Sequence, residues 1–440
     1  RWLHICLQIW PWSAPDLALL GMDNAPEPGP GPRAISPEYT IKVEEEMTAV
    51  CTRSTWYWLL GAILLSQPYS AVAQQVEPGG DESIKISGFI NATLWWQDQV
   101  FGPSNGQNAI WAASPELFED QGFAGGDIRA TRLTISFDGP EISQQWKVEA
   151  GLEADFFGGF TGAGPYAEQQ PNPRLRLAYA DLTNGRTTIR IGQYWTPTFG
   201  LIPQSLSHIG FPPGWGGGGM IGWRFPGIFF YHDLTPKSRT EVQLQLALFR
   251  NSWSIDFIDG VDAGQASALP QVEARLNLTR RPKTGTPWQA YLAAHWDLKD
   301  MNGPGIAHSP YINGWAAVGG FEVHPGRWKV LLQGYGGHAI GQIFAQILQF
   351  GNFGSWGIQG QLGYEFDDHW SLWTFYGIDN PSRRAPVLFR NQIILPMLRY
   401  QFKQYSIGLE WYRAVTQHRL DDGDDQFSGN QVGLSIRYDF

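Results

Sequence analysis

From Ser83 onward the chain is a succession of segments in which apolar and polar residues alternate. That period of two is what most restricts the folds open to it. The last segment, "NQVGLSIRYDF", places Val432, Leu434, Ile436, Tyr438 and Phe440 on one face and Gln431, Gly433, Ser435, Arg437 and Asp439 on the other. Successive side chains of a β-strand point to opposite faces, so each such segment reads as a strand. In "QQWKVEAGLEADFF", Trp146, Val148, Ala150, Leu152, Ala154 and Phe156 oppose Lys147, Glu149, Gly151, Glu153 and Asp155. In "RLRLAYADL", Leu175, Leu177 and Tyr179 oppose Arg174, Arg176 and Ala178. Sixteen segments of this kind follow one another, most of them 10–14 residues long. They exceed the usual globular strand and suffice to cross a bilayer with tilt.

The joins between segments carry a second regularity. Those from even to odd segments are short ("GPEIS", "TNGR", "TPKS", "RPKTGT", "HPG", "DDH", "KQ"), whereas most from odd to even are long. Sorting loops by parity is the expected arrangement of a transmembrane antiparallel up-and-down β-barrel with short periplasmic turns and long extracellular loops. A β-sandwich has no reason to do it. Magnitude decides which face meets lipid, since an arginine turned to the bilayer midplane costs about 2–4 kcal/mol. The apolar faces therefore point outward, and the charged faces line an interior expected to hold water. Only 16% of residues are charged while 14% are aromatic, Trp alone numbering 21. Aromatics gather near strand ends, as interfacial girdles require: Trp95, Trp96, Trp146, Trp328, Trp370, Tyr438 and Phe440. A terminal Phe440 at the periplasmic girdle, with the last strand closing on the first, removes an open edge that hydrocarbon would penalise.

The first 73 residues are read separately. From Met47, Arg53, the apolar "WYWLLGAILL" and Ala71-Val72-Ala73 make the three parts of a secretory signal peptide, expected over 47–73. Residues 1–46 are expected to be upstream leader outside any folded domain, 74–83 a short periplasmic segment, and 84–440 the barrel. Both cysteines, Cys6 and Cys51, precede the cleavage point, so the exported chain would carry no disulfide, thiolate metal site or cysteine nucleophile. Removing 1–73 takes away four Lys/Arg and seven Asp/Glu and leaves a net charge of −7 in place of −10. Nothing in that balance points to nucleic acid, and no cofactor is implied.

With those features in place the chain resembles Gram-negative outer-membrane porins. Tyr438-Asp439-Phe440 resembles the C-terminal aromatic-x-Phe assembly signal, and sixteen strands with a long third loop resemble the trimeric porins. "GGDIRATRLTISF" and "LRLAYADL…TTIRIGQYWTPTFG" are similar to the DcaP-like subfamily. The resemblance implies an outer-membrane location, a homotrimer in lipid and lipopolysaccharide, insertion by the barrel-assembly machinery, and small hydrophilic solutes as cargo. It also implies that the third loop, "PTFGLIPQSLSHIGFPPGWGGGG", folds into the lumen, with His208 its sole titratable side chain.

Basic residues expected to face inward include Arg132, Arg174, Arg176, Arg190 and Arg224, with Lys147; Lys85, Arg275 and Arg437 share the pattern. Glu149, Glu153 and Asp155, with Glu273 and Glu410, are the inward acids. Two readings stand. Arg132, Arg174, Arg176 and Arg190 form a ladder that draws small anions such as carboxylates and dicarboxylates through bidentate pairing; or they pair with Glu149, Glu153 and Asp155 and brace the wall. Two other function classes compete with a channel. An outer-membrane hydrolase would use a histidine such as His295, but no H-E-x-x-H occurs. A secreted carbohydrate-binding β-protein would suit the tryptophans but leaves the loop parity and terminal Phe unexplained.

Overall fold

The computed structural model describes residues 74–76 and 82–440, apart from 115–121, 144, 160–170, 237, 254–259, 284, 302–310 and 421–422. The leader and signal peptide expected over 1–73 lie outside the described residues. What is described is one antiparallel sheet closed on itself. Its strands are β1 (Ser83–Gln97), β2 (Phe123–Asp127 and Arg132–Ser143, interrupted between them), β3 (Trp146–Asp155), β4 (Arg174–Thr183), β5 (Thr187–Trp195) and β6 (Arg224–Asp233). Then come β7 (Thr240–Phe249), β8 (Gln271–Arg280), β9 (Trp288–Asp300), β10 (Tyr311–Val323) and β11 (Trp328–His338). The circuit ends with β12 (Gly354–Glu365), β13 (Trp370–Pro381), β14 (Leu388–Phe402), β15 (Tyr405–Leu420) and β16 (Gly423–Asp439). Each strand pairs with the next, and β16 pairs with β1 from Phe89↔Asp439 to Gln97↔Gln431. Sixteen barrel strands is the number the alternation predicts.

Closure pairs the last strand with the first from Phe89 to Gln97, so neither is left as an open edge over that length. The Gly88 and Phe440 backbones exchange two hydrogen bonds, each of 3.0 Å. Below that level β1 continues without β16, and a three-residue strand, Gln74–Val76, pairs with Ile84–Ile86 in its place. The expected separate segment 74–83 thus contributes a piece of the sheet. An exposed edge would otherwise offer its amides to any passing chain. Prolines fall where the ladder can spare them. In β14 the pairing with β15 lapses between Ile394 and Met397, around Pro396, and Pro226 of β6 lies just outside the β6–β7 ladder.

The outer face carries the apolar stripe and is exposed: Leu292 at 70%, Leu94 at 67% and Ile191 at 60%. Among the described residues no second layer of sheet covers it, so hydrocarbon is the environment in which this surface is stable. Rings at the short-turn rim touch in pairs that bridge neighbouring strands: Trp328 and Tyr364 at 4.5 Å between centroids, Trp370 and Tyr400 at 4.9 Å, Tyr405 and Tyr438 at 4.8 Å. They form an aromatic belt of the kind amphipathic rings make at a membrane–water boundary.

The inner face corrects one expectation. A uniformly wetted lumen is not what the strands enclose. Inward residues on β11 to β15, among them Gln333, Gln359, Phe375, Leu395 and Tyr412, are buried, because long loops fold inside and pack on them. A hairpin of the first loop (Phe101–Pro103 with Ala109–Ala112) lies against β14 and β15, where Asn391 Nδ2 and the Tyr412 hydroxyl both donate to the Ile110 carbonyl. Ile110 and Trp111 of that loop join Phe211, Trp215 and Met220 of the third loop and Ile347 and Leu348 of the sixth in one apolar cluster within the barrel. Polar inward positions and apolar loop residues both follow from this: the wall supplies hydrogen bonds and the loops supply the filling.

Candidate functional site: a constriction between the third loop and the arginine wall

The third loop, 196–223, crosses the lumen as a strap whose backbone is bonded to side chains of four wall strands. Thr198 gives its amide and hydroxyl to the Glu273 carboxylate on β8, at 2.7 and 2.9 Å. On β11 the Gln333 amide accepts from Leu201 N and donates to Leu201 O, at 2.7 and 2.6 Å; on β12 Gln361 does the same with Gln204, at 2.7 and 2.8 Å. Glu410 on β15 then accepts from the Ser205 hydroxyl, the Leu206 amide, and both the amide and hydroxyl of Ser207. Having almost no charge of its own, the loop can be buried; each of its amides that leaves water needs such a partner. The glycine run answers to packing. Gly219 has φ of +101°, and a Cβ there would meet the Ile358 backbone at 2.5 Å, so the loop rests on β12 at a distance only glycine permits.

His208, expected to line the pore, turns to the wall. Its ring stacks on Tyr412 at 4.7 Å, its Nδ1 lies 2.8 Å from the Ser207 hydroxyl, and it is only 1% exposed. Burial pushes its pKa down to about 3, so the ring is neutral at any ordinary pH. Water-excluded and neutral, it packs between the loop and the wall and does not face open lumen in this structure.

Where the wall meets the strap, β2 to β6 bring the arginines together. Arg174 grips Asp155 with two bonds, at 2.9 and 2.7 Å. Arg176 reaches Glu153 at 2.6 Å and Asp155 at 2.8 Å, and Arg132 lies 3.8 Å from Glu153. Arg224 of β6 belongs to the same group, within electrostatic reach of Arg132, Arg174, Arg176 and Asp155. Its guanidinium faces Trp195 and Trp223, each at 4.8 Å, and its Nε and Nη1 are buried without a hydrogen-bond partner. Four guanidiniums thus face two carboxylates. Arg132, Arg174 and Glu153 keep 15–19% of their side chains open to solvent, so the cluster borders on water while its base is buried.

Arg190 stands apart from that cluster. It makes a bidentate pair with Asp181, at 2.7 and 2.6 Å, and sits over the rings of Tyr179 and Tyr194 at 3.8 and 3.7 Å. Tyr179 was expected on the lipid side with Leu177. The register between β3 and β4 shifts where Glu153 pairs with Leu177 and Ala154 with Leu175. One extra residue reverses the phase of the strand, so Leu177 and Tyr179 turn inward and Ala180 faces out. Lys147 and Glu149 lie beside the short β2–β3 turn, 3.6 Å apart, with Asp138 3.0 Å from Lys147. They belong to the rim and not to the constriction.

Sequence reasoning missed Asp181, Tyr194 and the tethering Gln333 and Gln361, which no local pattern distinguishes from other wall residues. It also passed over the sixth loop, although "GQIFAQILQF" is unusually apolar for an exposed connection. No G-x-S-x-G was expected in the sequence, but Gly102–Gly106 is one. It lies in the first-loop hairpin and not at the strand-to-helix elbow that a serine nucleophile requires. His295 is held between Glu273 and Asp297, at 2.9 and 3.1 Å, and is buried with them. It is wall, not rim.

No protein-family model and no curated protein matches this sequence. Solved structures do match its fold. The outer membrane channel DcaP of Acinetobacter baumannii superimposes with a TM-score of 0.64 at 16% identity, covering 84% of this chain and 100% of its own. The Salmonella typhi OmpF porin, solved with daunomycin, gives 0.54 at 11% identity over 83% and 100%. An anion-selective porin from Comamonas acidovorans gives 0.53 at 12% identity over 82% and 100%. The fold is the closed sixteen-stranded barrel that these outer-membrane proteins share.

Proposed function

We propose that this chain, built on the sixteen-stranded barrel of the Gram-negative outer-membrane porins, is a passive channel of the outer membrane that admits small hydrophilic solutes and favours small anions, carboxylates first among them. The observation that carries the reading is the balance at the constriction. Glu153 and Asp155 are shared among Arg132, Arg174 and Arg176, and Arg224 keeps unpartnered donors. The excess positive charge sits where the wall meets the third loop, in surroundings of low dielectric that screen it weakly. A passing carboxylate offers the planar pair of acceptors that guanidinium groups take best. Pairing with Glu153 and Asp155 also braces the wall, so both roles expected for these arginines fall to one cluster. The apolar outer face and aromatic belt support a bilayer location, and the shared fold supports a trimer, lipopolysaccharide contacts and delivery by the barrel-assembly machinery.

The experiment is a reversal-potential measurement across a potassium chloride gradient in a planar bilayer. Anion preference is expected. Cation preference would end the selectivity reading, and a folded protein that never conducts would end the channel reading itself.

A further inference from the structure

The sixth loop, between β11 and β12, has the most strained backbone in the described chain. Five of the eight non-glycine residues with positive φ lie in it: Ala339, Phe344, Gln346, Ile347 and Leu348, all between 50° and 62°. The last three are consecutive. The left-handed region crowds any Cβ against the following carbonyl, and a β-branched residue such as Ile347 most of all. Such backbone persists only where its surroundings over-determine it. Here they do: Ala339, Ile340, Ile343, Ala345, Gln346 and Ile347 are wholly buried inside the barrel. Gln346 also accepts from the Ile340 amide at 3.0 Å and donates to the Phe353 carbonyl at 2.7 Å. Leaving the lumen would relax the backbone and expose the apolar side chains, two large terms of opposite sign.

Ring contacts connect this loop to the arginine cluster, through Trp223 and also through Trp215 and Trp195. Phe344 stacks on Trp223 at 4.6 Å, and Trp223 lies against the Arg224 guanidinium. A cation holds an aromatic face through its bare charge; a carboxylate bound to the guanidinium cancels much of it. Arg224 Nε and Nη1 are buried, with the rings of Trp195 and Trp223 each 4.8 Å from the guanidinium, so a carboxylate reaches those donors only once a covering ring has moved. That is a difference in affinity between two states, without which no ligand shifts an equilibrium.

We propose that the sixth loop is an anion-responsive gate and that a small carboxylate opens it by pairing with Arg224, releasing the Trp223–Phe344 stack. The ligand's class rests on the anion preference argued above.

The chain after Ala73 has no cysteine, so Ile347→Cys in the full barrel places a single thiol at a fully buried position. Its rate of reaction with a small methanethiosulfonate reagent reports departure of the loop. Sodium succinate should raise that rate about fivefold or more, while neutral dimethyl succinate at equal ionic strength leaves it unchanged. Arg224→Gln in the same background should remove the succinate response, and Phe344→Ala should give fast labelling with or without succinate. Heat-modifiable migration in detergent identifies folded barrels, and only those are scored. A thiol that never reacts, a rate indifferent to succinate, or an undiminished response in Arg224→Gln would each overturn the gate. None of these results bears on the reversal potential, so the gate and the anion preference fail separately.

Discussion

Ser207 gives both its amide and its hydroxyl to the carboxylate of Glu410, at 2.8 and 2.6 Å, 203 residues away in sequence. With Ser205 and Leu206 donating to the same group, this is the most heavily bonded anchor of the third loop. Bonds to a charged acceptor contribute about 1.5–3 kcal/mol each, and donors stranded in a buried site cost a similar amount. Glu410→Ala is therefore expected to free the far end of the loop. Single-channel recordings should show larger and noisier conductance, in a barrel that still migrates as folded. Unchanged conductance would mean that Glu273, Gln333 and Gln361 suffice.

The arginine cluster makes a graded prediction. Arg174→Ala with Arg176→Ala leaves two guanidiniums against two carboxylates, and the reversal potential should move from anion preference to near neutrality. Asp155 is buried, and removing both of its partners leaves an uncompensated charge at a cost of about 3–5 kcal/mol. The thermal midpoint of the barrel in detergent should fall as well.

His208 gives a pH dependence whose sign can be worked out. Docked, the ring is held neutral down to about pH 3; undocked, it takes a proton near its ordinary value of 6.5. Below that value the undocked loop binds more protons, so docking weakens as pH falls from about 6.5 towards 3, by up to about 1.4 kcal/mol per pH unit, and is unaffected by this group above it. Conductance noise should rise on acidification from pH 7 to 4, and His208→Asn should flatten that rise. An unaltered rise would assign it to other groups.

Leu292 tests the lipid face. It is the most exposed of the described large apolar residues and lies within β9. Leu292→Arg is expected to destabilise the barrel by up to about 2–4 kcal/mol, the cost of an arginine near the bilayer centre. Refolding into vesicles under a urea titration measures it. A loss of under about 0.5 kcal/mol, ordinary for a water-facing surface site, would deny this face its lipid.

The sequence by itself determined the wall. Alternation at a period of two is local, so "NQVGLSIRYDF" announces a strand and its outward Val432, Leu434 and Ile436 without reference to anything distant. Repeating that pattern sixteen times, with loops sorted by parity, fixes a closed sheet because an open one has no stable environment. Tertiary structure alone decided what fills it. The extra residue within β4, Arg176, that turns Tyr179 inward, the glutamines that hold the third loop and the burial of His208 all depend on partners brought close by closure of the ring. A side chain known to face inward can meet water, a loop or another side chain, and its own strand does not say which. Three loops competing for one enclosed volume settle that question, and they do so through contacts between residues more than 300 positions apart, as between Ile110 and Tyr412.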